Sequence, residues 1–419
     1  MTMENKTRRD FLATSARGAV GAALTAASYN KVLGANDRVR LGIIGPGARG
    51  QETMKYFLEA PNTEFVAAAD VYTRRLDEVK KFGANIQGYG DHRKMLESKD
   101  VDAVIISSPL HIHSRHFLDT LAAGKDMYAE KTMTWSIEEA EACLAAAKKN
   151  PKRVIGVGQQ HNSAGYFQDA RKWVKDGLVG KVAQVESWMS RNTPHGKGQW
   201  VRPIPADCNA QNVNWKAFLN GRQDRPFDAN KFINWRLFWE FSGGNVTENM
   251  VHQIAWIMSA LDLPLPSAAY MSGGVFSEKD GREVPDTIAV TLDFPNDMVV
   301  TWQSTFNNSR YGLGERLLGS DGTIEHVAGA NDMVSGKSGE STHYFPEKTN
   351  RRDGVALTGN SSDQDHMSNW IECMRTRKTP NAPVDIGYRS AVAAHMANLA
   401  YRRKQRITLE TAQSAQVQV

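Results

Sequence analysis

Val39-Arg40-Leu41-Gly42-Ile43-Ile44-Gly45-Pro46-Gly47-Ala48-Arg49-Gly50 reads as a short buried strand running into a G-x-G-x-x-G turn. Glycine is common, so the motif alone says little. Its place between an apolar strand and the helically spaced Gln51–Glu59 gives it meaning. In that setting Gly45 makes the tight turn, Gly47 lets a pyrophosphate approach the backbone, and Gly50 lets helix and strand pack closely. Ala48 and Arg49 open the helix, whose positive end favours an anion. A second strand, Glu64–Asp70, ends on a carboxylate 20 residues beyond Gly50, where an acid bonds the ribose hydroxyls of a dinucleotide. Asp70 repels a 2′-phosphate, so NAD is the expected cofactor; Arg74 and Arg75 nearby leave NADP open.

Outward from this stretch the alternation continues. A charged helix at Thr73–Phe82 is followed by a strand at Val101–Ser107, a helix at His113–Ala123 and a strand at Met127–Ala129. A helix at Ile137–Lys149 and a strand at Val154–Val157 complete the series. Strand and helix in this order predict a parallel sheet covered on both faces. Beyond about Gln160 the pattern changes. Period-two runs at Lys181–Met189, Ala268–Val275, Thr287–Phe294 and Met298–Phe306 predict a mostly antiparallel sheet, with Pro295-Asn296-Asp297 turning between the last two. Polar Gly/Asn/Asp-rich sequence fills 328–365, and a strong helix at Ile386–Arg403 packs back toward the first domain. The predicted class is α/β: an N-terminal Rossmann doubly wound parallel sheet, then a C-terminal α+β domain with a large, mostly antiparallel sheet. The expected divisions are a leader at 1–34, a dinucleotide-binding domain at 37–160, a substrate-binding and oligomerisation domain at 161–409, and a tail at 410–419.

A chain of 419 residues with 41% hydrophobic content has room for two such domains. The formal charge is +5; up to Gly34, five basic against two acidic residues supply +3 of it. The remainder carries no basic stripe, so no nucleic-acid partner is expected. Cys143, Cys208 and Cys373 lie far apart with no C-x-x-C and no zinc spacing, so no disulfide framework is expected. Thr7-Arg8-Arg9-Asp10-Phe11-Leu12, followed by the small, mildly apolar Ala13–Ser28, matches a twin-arginine (Tat) export signal. The Tat machinery is then a partner and the location periplasmic or otherwise exported; without a functioning signal the protein is cytoplasmic. No later run reaches about 18 apolar residues, so no membrane insertion is expected.

Chemistry-bearing residues gather at predicted strand ends, where open α/β sheets bind ligands. Ser107-Ser108-Pro109-Leu110-His111-Ile112-His113 ends the third strand. Its histidines stand beside no acidic or cysteine ligand, and no metal is expected. Gly124-Lys125-Asp126-Met127-Tyr128-Ala129-Glu130-Lys131 ends the next strand; a lysine beside a cationic nicotinamide has a lowered pKa and can carry a proton. Gln160 and His161 follow a further strand end. Trp235 and Arg236 precede the Gly243-Gly244 turn and are candidates for binding a substrate.

These residues together resemble the glucose–fructose oxidoreductase / inositol dehydrogenase / MocA (Gfo/Idh/MocA) family, over roughly Asp37 to Leu409. That family's turn of Ser/Thr-Pro, histidine, then A-G-K-x-x-x-x-E-K-P is matched by Ser108-Pro109, His113, Ala123-Gly124-Lys125 and Glu130-Lys131. Its G-G-x-x-x-D-x-x-x-H is matched by Gly243-Gly244-Asn245-Val246-Thr247-Glu248-Asn249-Met250-Val251-His252, with Glu248 replacing aspartate. The resemblance implies catalytic roles for Lys131 and His252, with Glu248 four residues earlier on the same helix face orienting the imidazole. It also implies cofactor contacts from Ser108, Pro109, His113, Glu130 and Gln160, a carbohydrate substrate, and a homodimer or homotetramer. Thr132 stands where the family has proline. A non-proline cis bond costs about 2.5–4 kcal/mol, so a cis Lys131–Thr132 peptide is not expected.

The expected activity is hydride transfer between a sugar, cyclitol or glycoside hydroxyl carbon and a tightly bound nicotinamide cofactor. The alternative is an NAD-dependent glycosidase that oxidises its sugar transiently and eliminates the aglycone. A third class, a scaffold that binds sugar without reaction, is opposed by the intact Lys131 and His252. Export is tested at the leader. Replacing Arg8 and Arg9 with lysines is expected to hold the protein in the cytoplasm of its host. Native protein fractionating with the cytoplasm, residues 1–34 still attached, would sink the signal reading.

Overall fold

The computed structural model describes residues 38–192, 198–331, 338–347, 354–357 and 363–415, so the leader lies outside the described residues. The first sheet has six strands: β1 (Val39–Ile44), β2 (Thr63–Ala69), β3 (Gln87–Tyr89), β4 (Ala103–Ile106), β5 (Asp126–Ala129) and β6 (Ile155–Val157). They lie in the order β3-β2-β1-β4-β5-β6 and every pairing is parallel. The order reverses between β1 and β4, so a crevice opens beyond the carboxyl ends of those two strands. Alternation divides the strands between two cores: Leu41, Ile43, Ala103 and Ile105 face one side, Ile44, Val104 and Ile106 the other. Both faces are buried, which explains why these strands read as near-continuous apolar runs. The connecting helices are α1 (Ala48–Glu59), α2 (Thr73–Glu78), α3 (His113–Ala122) and α4 (Ile137–Lys149). In α4 the Ser136 side chain accepts from Glu139 N, with Glu138 and Glu139 in the first turn and Lys148 and Lys149 in the last, an arrangement the helix dipole favours.

A second sheet carries nine strands: β7 (Val182–Ser190), β8 (Ala268–Gly274), β9 (Thr287–Phe294), β10 (Met298–Thr305), β11 (Leu313–Gly319), β12 (Gly322–Asn331), β13 (Ser338–Pro346), β14 (Val355–Ala356) and β15 (Ile407–Thr408). Their order is β14-β13-β12-β11-β7-β10-β9-β8-β15. Among the described residues of this sheet only β7 and β10 pair in parallel; the other pairings are antiparallel. Strands β11 to β13 correct the sequence reading, which left Leu313–Gly319 unassigned and treated 328–365 as polar filling. Leu-Gly-Glu-Arg-Leu-Leu-Gly puts two charges and two glycines into seven positions, so no alternation announces it. Partners on both sides, β7 and β12, make it a strand.

Later helices pack on this frame. Helix α5 (Val251–Ala260) and helix α7 (Val384–Arg403), the latter two residues longer at its start than expected, pack against each other. Helix α7 also touches α4 and β6 on the first sheet and β8 on the second. Its Ala391, Ala393, Ala394 and Ala397 are fully buried, and such small side chains allow that close approach. Helix α6 (Asp363–Thr376) returns to the other face of the first sheet, where Trp370 meets Phe57 and Tyr128 edge to face. Gly156 leaves the room: a Cβ there would lie 2.6 Å from Trp370 Cδ1. Residues 410–414, expected within a tail, belong with Leu409 to α8 (Leu409–Ser414), capped by Thr408 accepting from Thr411 N.

Between β7 and α5 an aromatic layer of Trp215, Phe218, Phe232, Phe238 and Phe241 packs on Tyr72. Thr73 N donates to Asn212 O at 3.0 Å and Asn214 N to Val71 O at 2.8 Å. His111 Nε2 lies 2.7 Å from Phe218 O. The layer is thus fastened to the loops that follow β2 and β4. The Lys131–Thr132 peptide is cis, contrary to the expectation drawn from Thr132. Contacts on both sides hold the residue: Thr132 Oγ1 donates to Thr247 O at 2.6 Å, and its carbonyl faces His113 Nδ1 at 2.7 Å. No helix among the described residues is long and apolar enough to cross a membrane.

Candidate active site

The glycine turn between β1 and α1 admits no side chains where it matters. Gly45 has φ +82°, and a Cβ on it would lie 2.5 Å from Ser108 Cα; one on Gly50 would lie 2.6 Å from Gly45 O. In front of Gly47 there is open space, with nothing within 4 Å of a built Cβ. Helix α1 has neither a side-chain cap nor an acidic residue in its first turn, so the N–H groups of Ala48, Arg49 and Gly50 lack intrahelical acceptors. These features fit a dinucleotide pyrophosphate. A cavity of about 410 Å³ runs from this turn past Asp70 and Pro109 beneath Asn214, Lys216 and Phe218 of the aromatic layer.

Asp70 ends β2 in the wall of that groove. Its Oδ1 accepts from Tyr72 N at 2.8 Å, and burial pushes the carboxyl up to about 6. The two arginines that left NADP open are both engaged. Arg74 donates to Glu78 and to Asp207, each at 2.8 Å, and Arg75 donates to Glu78 at 2.6 Å. Against the opposing effect of burial, hydrogen bonds from Arg74, Gln51 and Arg75 hold Glu78 down to about 2. These guanidinium charges are therefore compensated within the protein.

A second cavity of about 670 Å³ adjoins the first and shares Ala48, Arg49, Ser108, Trp235 and Arg236 with it. Here the structure brings together Lys131, His252, Glu248, Glu130, Gln160 and His161. Lys131 Nζ donates to Glu248 O at 2.6 Å and lies 3.5 Å from Glu248 Oε2, which also accepts from Arg236 Nε at 3.0 Å. Burial lowers Lys131 from its ordinary value, with Glu248 pulling the other way. Burial works to raise Glu248, but Lys131 and Arg236 prevail and hold it ionised. Trp235 backs Arg236, the guanidinium carbon lying 4.2 Å from the ring centroid.

Glu248 does not orient His252 as the spacing implied. Val246–Met250 is a π turn, and its wider winding breaks the i, i+4 alignment of an α-helix. The carboxylate turns to Lys131 and Arg236, while the His252 ring lies 5.7 Å from that of His161. Burial, then Lys131, drives His252 well below its ordinary 6.5, leaving a neutral imidazole. Burial likewise lowers His161 to about 4.

Other expected cofactor contacts are occupied by the protein itself. Glu130 accepts from Arg49 Nε at 2.8 Å and Thr53 Oγ1 at 3.1 Å. The Gln160 carboxamide bridges Gly158 O and the Arg49 guanidinium. The His113 ring spans Thr132 O at 2.7 Å and Ser108 O at 2.6 Å, tying together the exits of β4 and β5. Ser108 Oγ pairs with His116 Nδ1 at 2.9 Å. Sequence reasoning missed Asn214 and Lys216, whose place over the groove depends on long-range packing, and Arg191, the charged residue directly after β7.

Asp70 supports a pH test. Above about 6 its carboxylate accepts ribose hydroxyls and repels a 2′-phosphate; below, the protonated group does neither well. Calorimetric titration is expected to find NAD preferred over NADP at pH 8 and the preference narrowing as pH falls through about 6. A preference unchanged across that range would remove Asp70 as its source.

Two segments match models of one oxidoreductase family: residues 39–159 its NAD-binding Rossmann fold, and residues 221–409 its C-terminal alpha/beta domain. Among similar proteins, the 2,7-anhydro-N-acetylneuraminate hydratase of Escherichia coli is 21% identical over 337 residues, 78% of this chain and 77% of that one. The inositol 2-dehydrogenase of Burkholderia cenocepacia is 26% identical over 144 residues, 34% of this chain and 43% of that one, so the match spans under half of that relative. In fold, the aldose-aldose oxidoreductase from Caulobacter crescentus superposes with a TM-score of 0.66 at 18% identity, covering 88% of this chain and 99% of that one. With both halves matched in order, and with a glycine turn shaped for a pyrophosphate, the chain belongs to the Gfo/Idh/MocA oxidoreductase family and its first sheet is an NAD-binding Rossmann domain.

Proposed function

We propose that the protein transfers a hydride between a carbohydrate hydroxyl carbon and a nicotinamide cofactor that stays bound through the cycle. The observation that carries this reading is the convergence of Lys131, His252, Glu248 and Arg236 on a cavity adjoining the dinucleotide groove. The bound nicotinamide supplies the hydride acceptor or donor. In the oxidising direction His252, neutral and without a hydrogen bond to another described residue, takes the hydroxyl proton. Lys131, whose ammonium form Glu248 favours against the effect of burial, donates a hydrogen bond to the oxygen as negative charge builds on it. Arg236 holds Glu248 in place, so one carboxylate positions the lysine. The names of the hydratase, inositol and aldose relatives support a carbohydrate-like substrate.

The hydratase relative also supports the alternative, in which oxidation is transient and a leaving group departs before re-reduction. Release of an aglycone without net NADH would favour it; net NADH from free sugar would favour the dehydrogenase. Export, proposed on residues 1–34 alone, and assembly as a dimer or tetramer, proposed on the family resemblance, complete the reading.

Lys131→Ala and His252→Ala are each expected to lower kcat by about 10²–10⁴ while leaving NAD affinity within a few-fold. The pH profile should fall on the acid side only well below 6.5, as His252 protonates, and on the alkaline side below 10.5, as Lys131 loses its proton. Glu248→Gln removes the charge that raises Lys131, so the alkaline limb should move to lower pH. A profile unmoved by Glu248→Gln, with normal turnover in His252→Ala, would leave these residues structural.

Cofactor retention has its own test. The aromatic layer over the groove opposes exchange. Protein purified without added cofactor and dialysed extensively is expected to release nicotinamide on denaturation, near one per chain. An empty protein that needs exchanging NAD for each turnover would refute retention.

A further inference from the structure

Two guanidinium groups in the larger cavity take no part in that chemistry. Arg191 follows directly on β7 and Arg202 lies where the aromatic layer begins; both line the chamber of Lys131 and His252. Five cations there (Arg49, Lys131, Arg191, Arg202 and Arg236) face three carboxylates (Glu52, Glu130 and Glu248). The carboxylates are already shared out. Arg49 bonds Glu52 and Glu130, while Lys131 and Arg236 bond Glu248. Among the described residues neither Arg191 nor Arg202 has a carboxylate at ion-pair distance.

Arg191 is aimed, not loose. It donates to Asn249 Oδ1 at 3.3 Å. Asn249 donates in turn to Asn245, Asn245 Nδ2 to Ser304 Oγ at 2.7 Å, and Ser304 to the Met189 carbonyl. Asn245, Asn249 and Ser304 are all buried. Asn249 is the next residue after Glu248, so the π turn that sends the carboxylate to Lys131 sends the amide to Arg191. The Arg202 backbone is fixed through its N–H to Asn234 Oδ1 at 2.7 Å, and its guanidinium is repelled by those of Arg236 and Arg75.

A concave site with two uncompensated like charges attracts an anion, and guanidinium forks match the geometry of oxyanions. The dinucleotide pyrophosphate can answer Arg202, which lines both cavities, but Arg191 lines the substrate side alone. Both arginines lie between the two segments that the family models match, 39–159 and 221–409.

We propose that the chamber takes a sugar bearing an oxyanion, a carboxylate or a phosphate ester, and that Arg191 with Arg202 grips that group. The grip sets which carbon faces Lys131 and His252. This rests on the reading of the chamber as a sugar site.

Calorimetry on the NADH-loaded protein tests it with glucose, galactose, their uronates and their 6-phosphates. At least one acid form is expected to bind ten-fold or more tighter than its neutral parent, with the advantage shrinking as salt rises. Uronate preference identifies a carboxylate and 6-phosphate preference a phosphate ester. Arg191→Gln should abolish the advantage without changing NADH affinity, and Arg191→Lys should keep part of it; the lysine variant serves alone if the glutamine variant does not fold. Neutral sugars binding as well as both acid forms, or acid binding indifferent to both Arg191 variants, would overturn the oxyanion site and leave the sugar oxidoreductase standing. Absence of binding by every probe would overturn both.

Discussion

One carboxylate stands between two cations that reach it from different parts of the chain. Glu248 sits in the turn before α5, Lys131 comes from the end of β5, and Arg236 comes from the aromatic layer. In so buried a setting two such cations repel each other strongly, and removing the shared partner of a buried ion cluster costs more than the cluster's own net worth. The position of the lysine, the seating of the layer and the winding of the π turn are therefore coupled through Glu248. The extra methylene of glutamate over aspartate suits this bridging part, since the acid must span toward both cations and not merely brace the neighbouring His252.

Local chemistry made the first sheet legible. Gly45, Gly47, Gly50 and Asp70 are read at fixed offsets from a strand that is apolar on both faces, and neither requirement depends on distant sequence. The second sheet was legible only where one face is wet, as at Thr287–Phe294, where burial alternates along the strand. Strand β11 was hidden because its pairing with β7 and β12 outweighs what its own residues prefer. The candidate active site divides the same way. Lys131 and His252 announce themselves by motif, whereas the acid that serves Lys131 was assigned to the wrong partner, because a single widened turn rotates Glu248 away from His252. Nothing local to Asn214 or Lys216 marks them as lying above the groove; that follows from bonds to the backbone at Val71 and Thr73.

The aromatic layer and the two cavities form one device. By fastening to the exits of β2 and β4, the layer converts an open crevice into a covered groove. It also delivers Arg236 to Glu248 and Arg202 to the junction of the two chambers. The histidines of the β4 exit serve this architecture: His111 binds the layer's backbone, His113 spans two loops and His116 meets Ser108. Burial lowers all three from their ordinary value.

Helices α6 and α7 close opposite faces of the first sheet although they belong to the last quarter of the chain. As the protein emerges from the ribosome, residues 39–159 appear long before either helix exists. Tyr128 and Phe57 then face water, or a chaperone, until Trp370 arrives. Contacts of such sequence separation form late and slowly. The nucleotide-binding half is thus completed by helices made long after its own strands, and its two faces stay open until those helices arrive.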